Sequence, residues 1–210
     1  SKKVQNNSNL VAVRFPSHHL TRKLLKKIDY PLAAPSANIS SSISPVSKQD
    51  VIDEFGNKIK FVLEGGYSKV GLESTIINLV GKPNILRFGG VESKKIYKFI
   101  KLLKNNKKRK VNVKMPGSSK LHYSPGIPMR LNAKKNNHGE AFILIKKRRK
   151  TNKNYFYLSK TKNLKEAAKN LYKTFRKIKK NGYKKIAVEK IPNIQIGEAI
   201  NDRLLRASKK

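Results

Sequence analysis

The sequence predicts two α/β units separated by a linker. Over residues 1–104, short β-branched apolar runs alternate with segments of helical apolar spacing, a mixture typical of an α/β domain. Charged residues, Pro and Gly dominate residues 105–139 without helical periodicity, which indicates a linker. Residues 140–210 then read strand, strand, helix, strand, helix, and this order predicts a smaller Rossmann-like α/β domain.

The first predicted elements lie between residues 10 and 37. The alternating run LVAVRF (10–15) predicts a strand that ends at Pro16. The helical spacing of SHHLTRKLLKKI (17–28) predicts a helix with Ser17 as its N-cap. The following YPLAAPSA (30–37) predicts a short strand broken by its two prolines, before a polar loop.

The rest of the first unit contains two helices and three strands. Ser44 is predicted to cap a helix that has Pro45 at its first position and ends at Gly56. Three apolar runs predict the strands: IKFVLEGG (59–66), STIINLV (74–80) and NILRFGG (84–90). The helical spacing of SKKIYKFIKLLK (93–104) predicts the second helix.

The second unit is predicted to hold three strands and two helices. The strands are expected within 140–146, 155–159 and 185–190, and the helices span 163–180 and 197–208.

The charge balance is strongly basic. The chain has 49 Lys and Arg against 12 Asp and Glu, a formal net charge of +37, which favours a polyanionic partner such as RNA. A compositional drift of the whole genome towards Lys, Asn and Ile would give the same bias without a nucleic-acid site. The denser basic runs at 101–110 and 146–150 do not decide between these two interpretations.

Composition also excludes several classes of protein. The absence of Cys excludes a disulfide framework and thiolate zinc sites, and it fits a reducing compartment. No apolar run is long enough to span a bilayer, and no signal-peptide pattern opens the chain, so we expect a cytoplasmic protein without a membrane partner. Because the chain begins with Ser rather than Met, we expect it to start partway into a longer protein.

Polar residues in loops and strands suggest a small anionic ligand. The segment PSANISSSISP (35–45) offers hydroxyls and an amide before a predicted helix N-terminus, where anions bind, although a capped loop would look the same. Arg14 and Arg87 lie in predicted strands, where a buried guanidinium is costly unless it is paired with an anion. Glu73-Ser74-Thr75 precedes another strand, either as an ordinary turn or as a polar site at the strand edge.

Other common catalytic arrangements are missing from the sequence. It contains neither GxxxxGK[ST] nor GxGxxG, so the two familiar phosphate loops are excluded. The adjacent His18 and His19 diverge on a helix or a strand and do not predict a metal pair. His122 stands alone, which is more typical of a structural histidine than of a catalytic one.

Four segments together resemble threonylcarbamoyl-AMP synthases, the YrdC-like family. They are PLAAPSANISSSISP, LEGGYSKVGLESTIINLVGKPNILRFGGV, PGSSKLHYSP and the tail IGEAINDRLLRA, in the family's order and at its spacing. The tail is similar to the end of the longer, two-domain members. The resemblance implies a twisted open α/β sheet, a linker that can lie over the active site, and a small Rossmann-like domain.

The resemblance also implies a reaction and its partners. The family forms threonylcarbamoyl-adenylate and pyrophosphate from ATP, L-threonine and bicarbonate, and the product feeds N6-threonylcarbamoyladenosine formation in tRNA. A downstream tRNA threonylcarbamoyl-transfer machinery and tRNA or double-stranded RNA contact are therefore expected. Positioning and charge stabilisation suffice for such a reaction, so no catalytic protein nucleophile and no protein metal site are expected, and Mg²⁺ is expected with ATP.

Residue roles are carried over by matching motifs. The nucleotide is expected to contact Ser36, Asn38, Ser44, Arg87, His122 and Tyr123, with the last two closing over it from the linker. Threonine is expected to contact Arg14 through its carboxylate, together with Ala34 and Ser74.

The sequence departs from the family pattern in two places. The family's N-terminal portion is absent, so we expect this chain to hold the later part of the catalytic domain. Ser41 stands where the family has Gly, and a serine there is expected to be strained if the backbone has positive φ.

Two other functions stay open at this point. A basic RNA-binding module of the same fold, without catalysis, would fit the net charge, although no RNP-like pattern of aromatics is found. A carbamoyl-transfer relative acting on another acceptor is less favoured, because the linker and tail are typical of the stand-alone synthase.

Overall fold

The computed structural model describes residue 5, residues 10–99 and residues 122–209. The predicted α/β class is confirmed. The predictions for residues 100–121 lie outside the described residues; they concern the end of the helix predicted for 93–104 and the first part of the predicted linker.

The helices and strands follow one another along both units. In the first unit they are α1 (His19–Leu25), α2 (Lys48–Phe55), a 3₁₀ turn (Gly56–Lys58), β1 (Ile76–Asn78), β2 (Asn84–Arg87) and α3 (Ser93–Tyr97). In the second unit they are β3 (Met129–Arg130), β4 (Ala141–Lys146), β5 (Tyr155–Ser159), α4 (Leu164–Lys180), β6 (Ile186–Val188) and α5 (Gly197–Ala207).

Two sheets are formed by the described residues. β1 and β2 pair antiparallel. The other sheet has the order β3-β6-β4-β5 and is parallel throughout, as crossover connections in an α/β unit require. Five of the six residues of β4 are buried, which fits a central parallel strand covered on both faces.

Helix α4 packs in a core that both units share. Its N-cap residue is Asn163, whose side-chain oxygen accepts hydrogen bonds from the backbone N–H groups of Lys165 and Glu166. Its apolar face, which includes Leu171 and Phe175, is fully buried in one apolar cluster. Because that cluster also contains Ile43 of the first unit and Tyr123, the core is continuous across both units.

Three strands predicted for the first unit are wrong. Residues 10–15, 30–37 and 59–66 form no strand, and Phe15 and Phe61 are 95% and 90% exposed. A strand persists only when a neighbour satisfies its N–H and C=O groups, and apolar alternation alone does not supply that neighbour.

Two predicted helix caps are also wrong. Helix α1 has His18 rather than Ser17 at its N-cap position. Helix α2 is capped by Ser47, which exchanges hydrogen bonds with Asp50 in a capping box, and not by Ser44. Ser44 is thereby available for a different contact, described below. The predicted end of this helix at Gly56 is confirmed.

One strand was missed. β3 lies in the segment interpreted as linker and pairs with β6, Met129 opposite Ile186. Two residues are too few for a periodic signal.

Among the described residues, no helix is both long and apolar enough to cross a membrane.

Candidate functional site

Arg87 lies where several sequence-predicted residues meet. It is buried at the end of β2, and its Nε and Nη2 atoms donate to the carbonyl oxygen of Ser74 at 3.1 and 2.9 Å. Its Nη1 atom lies 3.4 Å from the hydroxyl of Tyr123. The side chain of Arg87 thus connects three separate motifs of the sequence, namely EST, ILR and HYSP.

Glu73 accepts hydrogen bonds from both units. Its carboxylate receives Ser44 Oγ–H at 2.5 Å, the Tyr172 hydroxyl at 2.9 Å and Arg203 Nε at 2.6 Å. Burial alone would raise the pKa of Glu73, but the positive charge of Arg203 and the hydrogen bonds from Ser44 and Arg203 outweigh it and lower the pKa below its ordinary value. Glu73 is therefore a charged acceptor that links the EST segment to the second unit, whereas the neighbouring Ser74 side chain is exposed.

The Ser/Asn loop is organised around Asn38. Its amide nitrogen donates to the carbonyl oxygens of Ile39 at 2.8 Å and Ser42 at 3.2 Å. Its buried Oδ1 atom has no hydrogen-bond partner within the described part of the chain. Buried acceptors are rarely left unpaired, so Oδ1 fits a donor from a ligand, such as an amino group or a sugar hydroxyl.

Ser41 connects this loop to the segment after the predicted linker. Its carbonyl oxygen accepts the N–H of Ser124 at 3.0 Å, which holds His122 and Tyr123 beside the loop. Its φ is 69°, the left-handed conformation in which a serine is strained. The backbone that the Gly of the family pattern would favour is therefore present in this chain.

We expect Ser41→Gly to stabilise the protein. Relief of the left-handed strain raises the free energy of unfolding by about 1–2 kcal/mol. The greater freedom of Gly in the unfolded chain lowers it by about 0.4–1 kcal/mol. The net gain, about 0.8 kcal/mol from the middle of these ranges, corresponds to a rise of about 2–3 °C in Tm for a protein of this size, measured by calorimetry. The control is Ser42→Gly, since Ser42 lacks positive φ, and this variant is expected to be neutral or destabilising. An unchanged or lowered Tm in Ser41→Gly would contradict the strain.

His122 and Tyr123 form an aromatic pair beside Arg87. Their ring centroids are 4.0 Å apart, and Tyr123 is almost fully buried. Burial lowers the pKa of His122, the positive charges of Arg206, Arg87 and Arg203 lower it further, and the charge of Glu73 partly opposes them. His122 is therefore neutral at pH 7, and its buried Nδ1 is unpartnered among the residues described. Burial, and then the charge of Glu73, raise the pKa of Tyr123, so its hydroxyl stays protonated.

The structure brings together some of the predicted site residues. Asn38, Ser44, Arg87 and Tyr123 are buried, and Ser74 contributes its carbonyl oxygen while its side chain is exposed. Arg14, Ala34 and Ser36 lie on exposed irregular segments.

Sequence reasoning missed three residues of the second unit. They are Tyr172 and Arg203, which hold Glu73, and Arg176, which donates to the carbonyl oxygens of Ile43 and Ser44 at 3.0 Å each. The position of Arg203 in the sequence could have indicated its role. Arg203 falls on the apolar stripe of α5, between Ile200 and Leu204, where a guanidinium needs a buried acceptor.

The described residues contain no group of three His, Asp or Glu side chains that could hold a metal ion.

Comparison with known proteins matches both units. Residues 1–89 match the family model described as "Telomere recombination", the Sua5/YciO/YrdC family, and residues 91–209 match the model of the C-terminal domain of threonylcarbamoyl-AMP synthase. The threonylcarbamoyl-AMP synthase of Pyrococcus abyssi is 33% identical over 94% of this chain and 64% of its own length. That of Bacillus subtilis is 31% identical over 61% of this chain and 38% of its own length.

A solved structure shares the arrangement of the chain. The crystal structure of P. abyssi Sua5 complexed with L-threonine superposes with a TM-score of 0.83 at 27% identity, covering 99% of this chain and 66% of that one. The chain thus spans less than two thirds of the length of these relatives.

Proposed function

We propose that this chain, which belongs to the threonylcarbamoyl-AMP synthase family, is part of an L-threonylcarbamoyladenylate synthase. The enzyme would form threonylcarbamoyl-AMP and pyrophosphate from ATP, L-threonine and bicarbonate. The observation that carries this proposal is the meeting of Arg87, Ser74 and Tyr123, which come from three separate matched motifs on the two units.

The site fits a reaction that needs positioning rather than a nucleophilic side chain. Threonine amine and bicarbonate condense to a carbamate with loss of water, and a carbamate oxygen attacks the α-phosphorus of ATP while pyrophosphate leaves. Arg87 would stabilise negative charge on the phosphates, because its guanidinium is fixed by Ser74 and always charged. The neutral His122 ring and the Tyr123 ring would cover the nucleotide without adding charge.

The remaining proposed contacts are those implied by the motif matches. Asn38 Oδ1 would accept from the nucleotide. Ser36 would supply its hydroxyl, and the Ser44 oxygen would accept from the nucleotide while its hydrogen is donated to Glu73. Arg14, Ala34 and Ser74 would contact threonine. The solved P. abyssi relative was crystallised with L-threonine, which supports this amino acid as the substrate.

Mg²⁺ would be held mainly by the ATP phosphates. The carboxylate of Glu73 is occupied by Arg203, Tyr172 and Ser44, so the site offers the ion hydroxyl and amide oxygens. When bound, the ion would neutralise phosphate charge.

We place the reaction in the cytoplasm, with a tRNA threonylcarbamoyl-transfer enzyme as the downstream partner. Direct RNA contact would draw on the net charge of +37. An RNA-binding module without catalysis is the weaker alternative, because the net charge accounts neither for the burial of Arg87 nor for the buried Asn38 Oδ1 that has no partner among the described residues.

Pyrophosphate release tests the reaction directly. It is measured with ATP, threonine and bicarbonate, each omitted in turn, on this chain and on the full reading frame that encodes it. Release that requires all three substrates in either form supports the synthase. No dependent release in either form, together with tRNA affinity that falls steeply with salt, would favour the RNA-binding alternative.

Arg87→Ala is expected to lower kcat/KM for ATP about 10²–10³-fold, the usual cost of removing one preorganised charge-stabilising donor. The measurement is initial rates of pyrophosphate release. The control is Arg148→Ala, because Arg148 pairs at 3.0 Å with Glu189 on the second unit and is 44% exposed. Equal turnover in the two variants would count against the proposed role of Arg87.

A further inference from the structure

Arg203 of the second unit contacts three segments of the candidate site. Its side chain is fully buried on α5. Nε donates to the Glu73 carboxylate at 2.6 Å, Nη2 donates to the carbonyl oxygen of Phe88 at 2.9 Å, and the guanidinium lies 4.8 Å from the Tyr123 ring centroid. Its Nη1 atom is paired with Asp202.

Each contacted residue is next to, or is itself, a proposed substrate contact. Glu73 precedes Ser74, Phe88 follows Arg87, and Tyr123 is in the nucleotide set. Arg87 contacts the same segments through the Ser74 carbonyl oxygen and the Tyr123 hydroxyl. Two arginines, one from each unit, therefore contact the Glu73-Ser74 segment and Tyr123, and Arg203 also reaches the backbone of Phe88 next to Arg87.

Tyr172 of α4 adds a second constraint on Glu73. Its hydroxyl lies 2.9 and 3.1 Å from the two carboxylate oxygens, and its ring is 1% exposed. The carboxylate is thus fixed by donors from both helices of the second unit. A buried ion pair contributes little net stability compared with well-packed apolar residues, so this arrangement is better suited to fixing geometry than to stabilising the fold.

We infer that Arg203, supported by Tyr172, is a positioning residue of the proposed reaction. It sets the backbone of Glu73-Ser74 and the ring of Tyr123 relative to Arg87. The C-terminal unit would then complete the substrate site without touching substrate. This inference rests on the proposed function and deepens it.

Arg203→Lys and Tyr172→Phe test the inference in the full reading frame that contains this chain. Lys keeps the charge but loses the fork that reaches Glu73 and Phe88 together, and Phe removes one hydroxyl from a ring that stays packed. The control is Arg130→Lys, which weakens an ion pair with the buried Glu140 on the second unit. Circular dichroism sets an assay temperature at which every variant is folded.

We expect Arg203→Lys to lower kcat/KM for threonine at least tenfold, mainly through KM, because Ser74 follows the displaced Glu73. Tyr172→Phe is expected to give a smaller loss of about threefold in the same direction, and Arg130→Lys is expected to keep wild-type values. Wild-type kcat and KM in a folded Arg203→Lys protein would overturn the inference.

Hydrogen exchange separates this inference from the proposed function. If the wild type shows no substrate-dependent pyrophosphate release, the proposed function fails. The positioning of residues 72–76 and 122–125 by Arg203 is then tested by their rates of amide hydrogen exchange. Faster exchange there in Arg203→Lys, but not in Arg130→Lys, supports positioning by Arg203. Unchanged exchange in those residues overturns it.

Discussion

Gly89→Ala is expected to be among the most damaging single substitutions in the first unit. A Cβ at Gly89 would lie 2.3 Å from the carbonyl oxygen of Glu73 and 2.4 Å from the backbone of Ser74 and Thr75. These are backbone atoms at the entry to β1, so they cannot turn aside as a side chain would. The added methyl must push the EST backbone away from β2, and the Arg87–Ser74 hydrogen bonds would be lost with it.

The expected loss is about 3 kcal/mol of unfolding free energy, at the upper end for overpacking. This corresponds to a Tm lower by about 6–12 °C for a protein of this size, measured by thermal denaturation. The neighbouring Gly90→Ala is a matched control, because its Cβ would meet the side chain of Val70 at 3.1 Å, which can shift by a few tenths of an ångström. Equal Tm values for the two variants would show that Gly89 does not pack tightly against the EST backbone.

The second unit was predictable because its signals are local. The run AFILIK and the 17-residue amphipathic helix α4 carry their own periodicity, and the structure places β4 and α4 within a residue of the expected bounds. The strands predicted at 10–15 and 59–66 carry similar runs, but a strand also depends on a partner that no local pattern specifies.

The site was predictable only in part, for the same reason. Motif matching named Arg87 and Tyr123, whose side chains lie 3.4 Å apart, and Asn38, whose loop is linked to the segment of Tyr123 by the hydrogen bond between Ser41 and Ser124. It did not reveal that Glu73 faces the second unit, because its partners Tyr172 and Arg203 lie 99 and 130 residues away in the chain. Contacts at that separation follow from the packing of α4 and α5, which sequence spacing does not encode.

Removal of the Glu73 carboxylate is expected to cost still more than the Gly89 substitution. Glu73→Ala leaves the guanidinium of Arg203, whose side chain is 0% exposed, without this partner. Breaking one side of a buried ion pair typically destabilises by about 3–5 kcal/mol, measured here by urea unfolding at pH 7. The double variant Glu73→Leu with Arg203→Leu is expected to recover much of that loss, because it also removes the buried guanidinium that has lost its Glu73 partner. A double variant as unstable as Glu73→Ala would contradict this explanation.

The ion pair also predicts a pH dependence with a definite sign. The folded-state pKa of Glu73 is lowered below its ordinary 4.5, so its stabilising contribution is complete above about pH 4.5 and is lost as the pH falls through the folded-state pKa. The wild type should therefore lose more unfolding free energy than Glu73→Gln as the pH falls below 4.5, since Gln does not titrate. Other carboxylates titrate in both proteins and cancel in the difference. Parallel stability curves for the two proteins in acid would mean that Glu73 is not held ionised by Arg203.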